Sequence, residues 1–133
     1  PASGRLHHTM TLLPDGRVAI IGDGQVAEVL DLSSLLSEST GPMAVPRWHH
    51  AAALLPDGRV LAIGGMTMKD GEPTSSIEVL DPATGEFTEV GSLGMARWGA
   101  TATVLADGRV LVAGGSTSQA NTNTTEFIEL SDF

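Results

Sequence analysis

One segment recurs three times in this 133-residue chain, and its spacing is the strongest constraint on what the chain can fold into. The copies are RLHHTMTLLPDGRVAIIGD from Arg5, RWHHAAALLPDGRVLAIGG from Arg47 and RWGATATVLADGRVLVAGG from Arg97. In each, the leading Arg precedes the turn Asp (Asp15, Asp57, Asp107) by ten positions, and a Gly (Gly22, Gly64, Gly114) follows that Asp by seven. Successive leading arginines lie 42 and then 50 positions apart. Periods of this size mark propellers and solenoids, where each repeat is one small unit stacked on the next. The frame divides a single segment, 1–133, into units of approximately 5–46, 47–96 and 97–133.

Each unit resolves into short strands. HHTMTLL, HHAAALL and GATATVL predict a first strand, and RVAII, RVLAI and RVLVA a second. The hairpin between them has its turn chemistry written out. Pro14 or Pro56 presets φ, Asp follows, and Gly16, Gly58 or Gly108 takes the positive φ of a type I turn with a G1 bulge. Ala106 replaces the proline in the third copy, which predicts a slightly looser turn of the same type. VAEVLDL, SIEVLDP and EFIELSD predict a third strand, whose unbroken apolar runs suit a sheet covered on both faces. DPATGEFTEV then reads as a turn into a fourth strand, with a weaker counterpart around SSLLSEST.

The extra residues of the second unit can be placed. Asp31 to Arg47 and Asp81 to Arg97 are both 16 positions, whereas Gly22 to Ala27 is five and Gly64 to Ile77 is thirteen. The difference lies wholly in the loop between the second and third strands. Binding commonly resides on loops that vary over a fixed frame.

Composition narrows the classes of function. With no cysteine, disulfides and thiolate-bound metal centres are excluded. A formal charge of −9 argues against nucleic acid or an anionic membrane surface as partner, and Lys69 is the only lysine. No run of about 18 apolar residues is present to form a membrane-spanning helix. A secreted or cell-surface setting is favoured over a cytoplasmic one.

The leading Arg, the apolar first strand, the DG turn, the second strand ending in a Gly doublet and the EVLD segment together resemble the kelch-repeat β-propeller family. The wording RWHHAAALLPDGRVLAIGG is especially similar to its bacterial, galactose-oxidase-like branch. The resemblance covers nearly the whole chain and implies an all-β fold of propeller blades, each of four antiparallel strands. Three repeats make a partial propeller or half of a six-bladed ring, since closed propellers have about 4–8 blades. The partners implied are the remaining blades of a longer chain, or a second copy forming a homodimer. Copper-radical oxidases of this fold use tyrosine and histidine ligands, and this chain has no tyrosine. No cofactor and no metal are expected.

In such a blade the PDG turns share one face, and the second–third loops share the other with the segments that open each repeat. That second face carries the candidate binding residues. Arg5, Arg47 and Arg97 would ring a channel and attract an anion, or else pair with the next blade. Trp48 and Trp98 would stack on a sugar or fill the gap between blades. His49, with His7, His8 and His50, suggests a metal, but neighbours on a strand point to opposite faces and the repeat fixes no carboxylate beside them. Lys69, Asp70 and Glu72 lie on the long loop of the second unit. Arg17, Arg59 and Arg109 are expected to serve the scaffold with their turn aspartates.

No nucleophile, paired carboxylates or phosphate loop can be named. The sequence therefore predicts a non-catalytic scaffold presenting loops to a protein or glycan. The alternative is part of a galactose-oxidase-like or sugar-processing enzyme.

Overall fold

In a computed structural model, residues 7–129 are described, and among them every regular element is a β-strand. Three antiparallel sheets follow the three repeats. The first contains β1 (Thr9–Leu12), β2 (Val18–Ile21), β3 (Gly24–Leu30) and β4 (Ser37–Trp48) in that order. The second contains β5 (Ala51–Leu54), β6 (Val60–Ile63), β8 (Ser76–Asp81) and β9 (Glu86–Ser92). The third contains β10 (Thr101–Val104), β11 (Val110–Ala113) and β12 (Thr125–Ile128). The intervening β7 (Met66–Thr67) belongs to the long loop of the second unit, yet it pairs with β4 and becomes a fifth strand of the first sheet.

The three repeated turns close alike. Leu13 N–H donates to Arg17 O at 2.8 Å and Gly16 N–H to Leu13 O at 3.0 Å. The same two bonds recur at Leu55 and Gly58 and at Leu105 and Gly108. The glycines sit at φ of 89, 91 and 90°, so the bulge glycine is required in every copy. Ala106 leaves this bonding unchanged. Asp15, Asp57 and Asp107 each accept from the backbone N–H and Nε of the Arg two positions on, so Arg17, Arg59 and Arg109 are consumed by the turn.

Several strand boundaries differ from those the sequence predicts. First strands begin at Thr9, Ala51 and Thr101, two residues later than expected, because His7, His49 and Gly99 adopt φ of 53, 52 and 68°. A left-handed residue cannot continue a strand. The weakly signalled fourth strand of the first unit is the longest among the described residues, at 12 residues. Its Pro42 pairs with Val26 between two register shifts, where an irregular ladder can take a residue with no N–H. In the third unit only Glu126–Ile128 of EFIELSD lie on a described strand, with Ile128 opposite Val110 as Leu80 is opposite Val60.

Strand alternation divides the core into two layers. In β6, Val60 and Ala62 pack with Leu80 against Ala19, Ile21 and Val29 of the first sheet, while Leu61 and Ile63 pack against Val110 and Val112 of the third. The middle sheet is thus buried on both faces, as its unbroken apolar runs require. Each such Leu or Ile removed from water contributes about 1.5–3 kcal/mol.

Candidate functional site

The repeated leading arginines turn inward. Arg47 is fully buried, and from β4 its Nη2 donates to Glu78 Oε2 on β8 at 2.6 Å, across the gap between two sheets. Its Nη1 donates to Gly64 O and Ser76 O, and its Nε to Val45 O. Glu78 in turn accepts from the N–H groups of Ala44 and Val45. Arg97 repeats the arrangement with Glu126 at 2.8 Å, Thr124 O and Gly114 O. The expectation that these arginines could ring a channel and hold an anion is therefore corrected for Arg47 and Arg97: their donors point into sheet junctions. Arg5 lies outside the described residues. A carboxylate is fixed by the repeat after all, since Glu28, Glu78 and Glu126 occupy equivalent third-strand positions.

The two adjacent histidines also separate, though not because they share a strand. At His49 the left-handed backbone turns the ring to the surface, while His50 is buried and meets Thr9 Oγ1 through Nε2 at 2.8 Å. Burial, followed by the charge of Arg47, pushes His50 down to about 3, so it is neutral. A Cβ on Gly22 would stand 2.9 Å from its ring, and this glycine lets the two sheets close on the imidazole.

His7, His49 and Gly99 are equivalent residues, all left-handed, and they are joined in series. His49 N–H donates to His7 O at 3.3 Å, and Gly99 N–H to His49 O at 2.9 Å. Upon this backbone lies a row of rings. Centroids are 5.2 Å apart for His7 and Trp48, 4.1 Å for His7 and His49, 4.8 Å for Trp48 and His49, and 5.4 Å for His49 and Trp98. Burial, with a smaller contribution from His7, lowers the His49 pKa, which favours neutral stacked imidazole.

A cleft of about 360 Å³ opens beside this row, lined by His7, Asp23, Trp48, Thr67, Met68 and Gly71. Its far wall is the hairpin carrying β7. Arg47 and Trp48 pair with Thr67 and Met66, and Met68 N–H donates to Pro46 O at 3.0 Å. Thr67 N–H bonds to Glu72 O, and the Asp70 carboxylate accepts from Thr67 Oγ1 and Glu72 N–H. Those bonds, the Thr67 hydroxyl first, hold the Asp70 pKa below the usual carboxylate range. Asp70, exposed at the hairpin tip, thus helps to shape the wall. Lys69 and Glu72 are exposed on the hairpin. The third unit folds back likewise, Ser116 and Trp98 exchanging two backbone bonds.

Of the residues singled out in the sequence, Trp48, His49 and Trp98 come together, whereas Lys69 and Glu72 stand on the hairpin beside them. His7 as a ring of the row, Asp23 and Thr67 were missed as cleft residues. The signal for the row was Gly99, which marks a left-handed position that histidine occupies in the other two copies. Among the described residues no three His, Asp or Glu side chains converge to hold a metal ion. On the opposite face, a cleft of about 220 Å³ runs between the PDG turns and Asp81–Ala83, walled by aspartates and arginines already paired with one another.

The Kelch motif family model matches residues 47–94, from the buried Arg47 through the whole second sheet. Compared with curated proteins, the chain has no significant match. With the matched unit's turn, Gly pair and Arg–Glu junction repeated in the following sheet, the chain carries kelch repeats folded as antiparallel sheets of the kind that build propeller blades, a motif that suggests an interaction scaffold in general.

Proposed function

We propose that this scaffold is non-catalytic and holds a protein or glycan ligand in the cleft beside Trp48, with His7, His49 and Trp98 as its stacking floor. The observation that supports this reading most is the ring row itself. Two of its rings, His7 and Trp48, line a concavity and the other two continue the row beside it, whereas the repeated arginines and the turn aspartates are spent within the frame. Aromatic faces bind sugar rings and apolar side chains through large contact area at low ordering cost.

The test is a screen of the labelled chain on a glycan array and a displayed peptide library, repeated with Trp48→Ala and with Arg17→Ala. Hits are expected to weaken at least tenfold in Trp48→Ala and to persist in Arg17→Ala. Hits that ignore Trp48 and disappear with Arg17 would move the site to the turn face. The alternative, a galactose-oxidase-like enzyme, predicts stoichiometric copper uptake that is lost in His49→Ala; that result would overturn the scaffold reading.

A further inference from the structure

Strand β4 ends at Trp48 between two edges. On one side Asp23 N–H donates to Arg47 O at 3.2 Å, and Gly24 pairs with Arg47. On the other, Thr67 pairs with Arg47 and Met66 with Trp48. The cleft at Trp48 is therefore walled by Asp23 and by Thr67 and Met68, all within the first two units. Asp23 departs from the repeat. It stands where the other units have Gly65 and Gly115, and it keeps their left-handed backbone, at φ 59° against 97 and 90°. A side chain there is strained, and strain held beside a concavity points to a use for that side chain. The polar side chains of both walls accept hydrogen bonds. Thr67 Oγ1 gives its hydrogen to Asp70 and keeps its lone pairs. The Asp23 carboxylate has two oxygens with about four acceptor sites, so bonds within the frame leave it further capacity.

We propose that this cleft takes an arginine side chain from a basic segment of a protein ligand, with the guanidinium over the Trp48 ring and its N–H groups toward Asp23. The proposal rests on the cleft being the binding site and names the class of its ligand. A guanidinium is planar, permanently charged and donor-only; it stacks on aromatic faces and binds a carboxylate through paired N–H groups. Each property meets its complement in the ring and the acceptors of this cleft. A sugar ring matches the Trp48 face alone, because it has no charge to set against Asp23. The wider surface has the same sign. The chain carries a formal charge of −9; Arg17, Arg59 and Arg109 pair with turn aspartates, and Arg47 and Arg97 are buried. On the exposed hairpin rim Lys69 is outnumbered by Asp70 and Glu72. Such a surface draws a basic segment in and turns acidic ones away. The cleft's volume of about 360 Å³ is at the low end of the roughly 300–1,000 Å³ of ligand pockets, which suits an inserted side chain.

The test is an NMR titration of the isotope-labelled whole chain with a short capped glycine–serine peptide carrying one central arginine. Signals of the Trp48 indole N–H and of the Asp23 and Thr67 amides are the readout. A matched peptide carries citrulline instead, which keeps the planar shape and loses the charge. The arginine peptide should shift these signals saturably and bind about tenfold more tightly than the citrulline peptide. In Asp23→Asn that preference should vanish. Asp23→Gly, which restores the residue of the other two units, should abolish it too and serves if Asp23→Asn does not fold. Added salt should weaken the arginine peptide and leave the citrulline peptide unchanged. Equal affinity for the two peptides, shifts that spare Trp48, or no saturable shift would each overturn the arginine proposal. Glycan or apolar-peptide hits that need Trp48 and ignore Asp23 would overturn it while keeping the cleft as the binding site. Hits that ignore Trp48 would overturn both.

Discussion

Arg47 and Glu78 meet at 2.6 Å with both side chains at most 1% exposed, and they belong to different sheets. Breaking a buried pair leaves one uncompensated charge, at a cost of about 3–5 kcal/mol. Glu78→Ala should therefore lower the unfolding midpoint in urea sharply. Arg17→Ala, which breaks a part-exposed pair, should cost less than about 1 kcal/mol. The double variant Arg47→Met with Glu78→Leu should recover only part of the loss, because it removes both charges but also the acceptor of the Ala44 and Val45 N–H groups. A Glu78→Ala protein as stable as Arg17→Ala would refute the junction's importance.

Protonation of His50 couples acidity to stability. Its folded-state pKa lies near 3 against an ordinary 6.5, so between those values the unfolded chain binds a proton that the folded chain does not. Stability is then complete above pH 6.5 and falls as pH drops toward 3, by up to about 1.4 kcal/mol per pH unit. Urea titrations between pH 7.5 and 4.5 should register this decline, and His50→Gln should flatten it. An unchanged slope in His50→Gln would assign the decline to other groups.

His49 occupies a left-handed position at φ 52°, where a residue with a Cβ is strained by about 1–2 kcal/mol. Relief of that strain opposes the loss of ring contacts of about 0.5–1.5 kcal/mol each. His49→Gly should thus leave thermal stability within a few degrees of the parent while interrupting the ring row. Ligand affinity should fall in the same variant. A large drop in melting temperature would mean that the row supports the fold.

At the third PDG-type turn, Ala106→Pro should stabilise the protein by about 0.4–1 kcal/mol. Pro14 and Pro56 occupy the equivalent place, and the same two backbone bonds close all three turns. A lower urea midpoint would show that the backbone at Ala106 differs from its counterparts.

Local chemistry made the hairpins legible, because proline, aspartate and glycine define that turn without help from distant residues. The Arg–Glu junctions were half legible. The arginines stood out by repetition, but Glu28, Glu78 and Glu126 were hidden inside segments read as apolar runs, and the third of these strands was taken two residues out of register. The long strand ending at Trp48 was obscured by Pro42 and Pro46, which read as loop until its bulged pairing is known. The pairing of Met66 and Thr67 with the preceding sheet joins residues of different units, which no pattern within one unit can reveal. The cleft was only partly legible because that pairing builds its wall.

The same wall has a consequence for remodelling. Its root is stitched to the preceding sheet at Thr67 and Met68, while Lys69 and Asp70 form the tip. Exchange or lengthening at the tip would alter the cleft's rim without unthreading either sheet. A hairpin anchored in this way is a natural graft point, where new recognition sequences can be installed on an unchanged support.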